Sequence, residues 1–90
     1  MQELWVQVTG GVQGVGFRYF VRMAAEELGI TGFVQNQRDG SVQIVAQGDK
    51  KKLGEFVTRI RTGNSWSVIS DMVLDWKKPT TFFPGFEIRY

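Results

Sequence analysis

The apolar residues of this chain switch between a strand period and a helix period in one particular order, and that order restricts the fold more than any other feature. Leu4, Val6 and Val8 alternate with Trp5, Gln7 and Thr9, a spacing of two that reads residues 3–9 as a strand. From Phe17 the spacing becomes helical. Phe17, Phe20, Val21, Ala24, Ala25 and Leu28 share one face of a helix of about three turns. Gly29 follows, where a left-handed C-terminal cap is expected. Residues 31–37 and 41–47 alternate again, and the Asp39-Gly40 pair between them is a hairpin signal. Asp49 can cap a second helix that carries Leu53, Phe56, Val57 and Ile60 at helical spacing, with Gly63 beyond its end. Residues 67–76 return to the strand period, residues 77–84 form a connection, and Phe86, Ile88 and Tyr90 alternate in a short last strand.

The order β-α-β-β-α-β, plus a short final strand, is the split β-α-β or ferredoxin-like arrangement. The expected fold is α+β: a four- to five-stranded antiparallel sheet with two helices on one face and core strand order 4-1-3-2. Ninety residues make one domain, taken as 1–90, with material for a single core.

Two absences narrow the chemistry. The chain has no cysteine and no histidine. Disulfides, Cys/His zinc sites, a cysteine nucleophile and every histidine-based triad or general base are therefore excluded. Any catalysis must use carboxylates, amides, hydroxyls, guanidinium groups or backbone N–H groups. The net charge of +2 does not point to nucleic acid, and the lysine runs 50–52 and 77–78 read as solvated surface. The N-terminus lacks the basic-then-apolar pattern of a signal peptide, and no stretch is long and apolar enough to span a bilayer. A cytoplasmic monomer without nucleic-acid or membrane partners is the expectation.

The segment Gly10-Gly11-Val12-Gln13-Gly14-Val15-Gly16-Phe17-Arg18 joins the first strand to the first helix, with four glycines among residues 10–16. Such a loop lets N–H groups converge into an anion-binding concavity, and the helix beginning near Phe17 adds the positive end of its dipole. Arg18 puts a planar guanidinium in the first turn, where a cation is mildly unfavourable unless an anion is bound. The loop alone fits either an anion cradle or a glycine-rich turn beside a surface arginine. Asn36, alone, fits a turn residue hydrogen-bonded near the hairpin.

The whole string is more specific. Val12-Gln13-Gly14-Val15-Gly16-Phe17-Arg18, then Leu28-Gly29-Ile30-Thr31-Gly32-Phe33-Val34-Gln35-Asn36 leading into Asp39-Gly40-Ser41-Val42, then Ala46-Gln47-Gly48 and the closing Ile88-Arg89-Tyr90, resemble the acylphosphatase family along nearly the whole chain. The resemblance implies the same ferredoxin-like fold and hydrolysis of acyl phosphates to a carboxylate and inorganic phosphate. It implies Arg18 and Asn36 as the catalytic residues, and the backbone of Gln13, Gly14, Val15, Gly16, Phe17 and Arg18 as the phosphate cradle. No cofactor or metal is implied, and inorganic phosphate is expected as product and inhibitor. Four departures from the family pattern stand out: Gly11 for a basic residue, Phe33 for Trp, Gln35 for a basic residue, and Gly63-Asn64-Ser65-Trp66 where Gly-Pro is usual. None touches Arg18 or Asn36. The first and third lower the positive charge available to draw in an anion. The alternatives are a phosphate- or ligand-binding module that never turns over, and an RNA-binding domain. The lack of aromatics in residues 42–47 argues against the second.

Overall fold

A computed structural model of the chain describes residues 1–14 and 16–90. The elements run β1 (Gln2–Gly11), α1 (Phe17–Glu27), β2 (Thr31–Asn36), β3 (Val42–Gly48), α2 (Lys50–Thr62), β4 (Val68–Lys77) and β5 (Phe86–Arg89). Their local signals are those of the sequence. At the end of α1, Gly29 takes φ 69. The N–H of Ile30 reaches back to the carbonyl of Ala25 (2.8 Å) and that of Gly29 to Glu26 (3.2 Å), a Schellman cap that satisfies two orphan carbonyls. The Asp49 carboxylate accepts the N–H of Lys52 at 2.8 Å and so caps α2.

The sheet order is β4-β1-β3-β2-β5. Within it the four core strands stand in the expected order and pair antiparallel. The expectation of a wholly antiparallel sheet needs one correction: β5 joins the β2 edge in parallel, with Gly32 beside Phe86 and Gln35 beside Arg89. The reason is the path of the chain. β4 ends beside Glu3, at the same end of the sheet where β2 begins. The 78–85 connection stays at that end, so the chain enters alongside β2 running in the same direction. Gln47 donates to the carbonyl of Thr81, and Phe83 packs edge-on to Phe33 with ring centres 5.9 Å apart, which fastens the connection.

Alternation then sorts the faces. Leu4, Val6, Val8, Val34, Val42, Ile44 and Ala46 point at the helices and are buried with Phe17, Val21, Leu53, Phe56 and Ile60. The opposite face carries Trp5, Gln7, Phe33 and Gln43. Trp5, Trp66 and Trp76 are all exposed. One end of the sheet gathers the end of β1, the end of β2 and the end of β5. The glycine loop and the start of α1 sit there too.

Candidate active site

The glycine loop begins where β1 leaves the sheet. Gly14 and Gly16 take φ 74 and φ 75, left-handed values that glycine adopts without a Cβ penalty. Gly16 is also the N-cap of α1. No side chain caps that end, and no acidic residue lies in the first turn. The positive end of the α1 dipole therefore faces the loop uncompensated, which favours an anion there.

Arg18 follows in the first turn. Its side chain is held from the far end of the chain: Nη1 donates to the carbonyl of Arg89 at 3.2 Å, and the guanidinium lies 4.7 Å from the centre of the Tyr90 ring. No carboxylate pairs with it among the described residues; the ion pairs there are Arg59–Glu27, Lys77–Asp75 and Arg89–Glu87. Arg22, one turn along, stacks on Tyr19 at 5.1 Å and adds a second positive charge to the same stretch of helix.

Asn36 is the last residue of β2, paired with Val42. It follows Gly32 and Val34 on the helix side of the sheet, so its amide faces the loop and α1. Its Oδ1 is buried and accepts no hydrogen bond from the described residues. A buried unpaired acceptor costs about 1–3 kcal/mol, and such a group normally has a water or ligand partner.

These pieces meet. A cavity of about 170 Å³ is lined by Val12, Gly14, Gly16, Phe17, Arg18, Tyr19, Asn36, Ile88 and Tyr90. Of the expected site residues, Gly14, Gly16, Phe17, Arg18 and Asn36 all border it. Val15, also expected there, lies outside the described residues. Gln13 does not line it: its side chain turns to the β2–β3 hairpin instead, donating to the carbonyls of Gln37 and Ser41. Phe17 divides its roles, with a buried ring in the core and the cavity at its edge. The sequence reading missed Tyr19, Ile88 and Tyr90 as lining residues. The family-like close, Ile88-Arg89-Tyr90, was the signal that could have found two of them. A larger hollow of about 680 Å³ opens on the helix-free face beside Trp5, Gln7, Gln43 and Asp75, reaches the hairpin at Gln37 to Asp39, and shares no lining residue with this cavity.

Comparison with known proteins points the same way. The acylphosphatase family model matches residues 4–88. An acylphosphatase of Lactobacillus johnsonii is 51% identical over 91 residues, covering 100% of both chains. One from Bacillus licheniformis is 40% identical over 90 residues, again covering 100% of each. The crystal structure of acylphosphatase from Bacillus subtilis superimposes with a TM-score of 0.97 at 37% identity, covering 100% of both chains. With the family model spanning nearly the whole chain and relatives matching it end to end, the chain belongs to the acylphosphatase family, enzymes that hydrolyse acyl phosphates.

Proposed function

We propose that this chain hydrolyses the carboxyl-phosphate bond of small acyl phosphates through a backbone cradle at residues 13–18, the Arg18 guanidinium and a water oriented by Asn36. The observation that carries the reading is the shared cavity: an arginine without a carboxylate partner and a buried amide oxygen without a hydrogen-bond partner among the described residues border the same 170 Å³ space at an uncapped helix N-terminus.

The chemistry asks little of such a site. The leaving group is a carboxylate and needs no strong acid. The phosphoryl group is held by N–H groups and by the planar fork of Arg18, which spreads its charge in the transition state. Asn36 Oδ1 accepts one hydrogen of the attacking water and aims its oxygen at phosphorus. As the new P–O bond forms, the bond to the acyl oxygen breaks. The water's transferred proton ends on a phosphate oxygen, so that a carboxylate and dihydrogen phosphate leave. A metal ion has no necessary part in these steps. In this reading the chain acts as a single-domain cytoplasmic monomer, and inorganic phosphate competes with substrate for the same cradle.

The test is phosphate release from benzoyl phosphate by the wild type and Asn36→Ala, with and without chelator. Asn36→Ala is expected to lower kcat and kcat/KM together by roughly a hundredfold to a thousandfold, with KM and phosphate inhibition little changed. Chelator is expected to leave the rates alone. Normal turnover by a folded Asn36→Ala protein removes Asn36 from the reaction.

A further inference from the structure

The side chain of Gln13 leaves the glycine loop and crosses to the other half of the site. Its Nε2 donates to the carbonyl of Gln37 at 2.8 Å and to the carbonyl of Ser41 at 2.8 Å. These two carbonyls flank the Asp39-Gly40 turn, and Gln37 directly follows Asn36. One amide group thus joins the segment that leads to Arg18 with the segment that carries Asn36.

The hairpin does not need this amide to form. The N–H of Gln37 already bonds the carbonyl of Ser41 at 2.8 Å, and the N–H of Gly40 bonds the carbonyl of Gln37 at 3.2 Å. Asp39 Oδ1 accepts from the N–H and the hydroxyl of Ser41 at 2.9 and 2.6 Å. Each carbonyl has a second lone pair, and Gln13 takes it. The turn therefore closes with its own bonds, and the added pair does something else: it fixes the distance between loop and hairpin. Both hydrogens of a primary amide are used at once, which a hydroxyl, a thioether or a protonated carboxyl cannot reproduce.

We propose that Gln13 is a positioning residue, whose side chain holds Asn36 in register with the phosphate cradle without touching substrate. This rests on the roles proposed above for Arg18 and Asn36. Misplacement by an ångström or so can cost about a hundredfold in rate, so a clamp of this kind has a kinetic consequence out of proportion to its share of stability.

The experiment is a double-mutant cycle between Gln13→Met, which keeps length and apolar volume but has no donor, and Asn36→Ala, with benzoyl phosphate as substrate. Gln13→Met alone is expected to lower kcat by about tenfold to a hundredfold, with phosphate inhibition nearly unchanged. In the Asn36→Ala background the same substitution is expected to have little further effect, because the group it positions is gone. A loss of equal size in both backgrounds overturns the proposal, as does an unchanged kcat in a Gln13→Met protein whose only change is a lower unfolding midpoint. Gln13→Glu provides a check within the folded enzyme. Its turnover relative to wild type should rise as the pH falls and the side chain regains one donor; a flat ratio counts against the clamp. An Asn36→Ala enzyme with full activity instead defeats the underlying reading, an outcome distinct from additive losses beside a slow Asn36→Ala.

Discussion

Arg18 occupies a place that helix electrostatics alone disfavours. It is a cation at the positive end of α1, where neither a side-chain cap nor a first-turn acid offsets it. Its anchors are the carbonyl of Arg89 and the ring of Tyr90, which fix where the fork points while leaving it without a carboxylate. Arg18→Lys keeps the charge and loses the fork, so kcat/KM is expected to fall by roughly tenfold to a hundredfold, the worth of one charge-assisted hydrogen bond of about 1.5–3 kcal/mol. Arg18→Ala should also weaken phosphate inhibition, measured as a higher inhibition constant; a folded Arg18→Ala enzyme with wild-type kcat/KM would contradict the role of the guanidinium. At this scale the sequence was informative in one direction only. Arg18 and Asn36 stand in strings specific enough to be matched to a family, and both border the cavity. The partners that hold Arg18 are Arg89, 71 residues away, and its neighbour Tyr90, and no local spacing announces such a pairing. The Gln13 amide was equally hidden. A glutamine beside glycines looks like a loop residue until the hairpin it grips is in place.

Elements were more legible, because their signals are local. Helix stops at Gly29 and Gly63, the Asp49 cap and the Asp39-Gly40 turn all follow from the backbone preferences of those residues. Which edge receives β5, and in which direction, depended on the route of the 78–85 connection across the sheet end, and strand alternation carries no record of that. Gly32 had no local explanation either. It sits at φ 138 in β2, where a Cβ would run into the carbonyl oxygen of Val45 on β3. Gly32→Ala is expected to destabilise the protein by more than about 2 kcal/mol, read from a urea midpoint. The turn itself titrates. Hydrogen bonds from the Ser41 hydroxyl and then the Ser41 N–H hold the Asp39 carboxyl below the usual carboxylate range. The folded value lies under the unfolded one, so this contribution is complete above about pH 4, the unfolded carboxylate value, and is lost as the pH falls through the folded value. Asp39→Ala should therefore lower the urea midpoint near neutral pH, and the gap from wild type should close in strong acid. A gap that persists there would assign the loss to turn geometry and not to charge.

For the molecule as a whole, one core lies between a single helical layer and one face of the sheet. Phe56 of α2 is fully buried and meets Phe86 of β5 with ring centres 6.1 Å apart and planes at 64°. Phe56→Ala is expected to cost about 3–5 kcal/mol, a large share of the roughly 5–15 kcal/mol typical of a domain. Thermal unfolding should show that loss, while kcat per folded molecule stays close to wild type, since the ring does not line the cavity. Altered kcat in the folded fraction would show that the helical layer reaches the chemistry. The parallel placement of β5 has a further consequence, for synthesis. A ribosome releases the glycine loop and Arg18 early, yet the carbonyl that steadies Arg18 belongs to Arg89. Until that later segment has emerged and paired with the β2 edge, the nascent polypeptide has its glycine loop but lacks the support for its arginine. The fork of Arg18 is therefore steadied only by a segment made 71 residues after it.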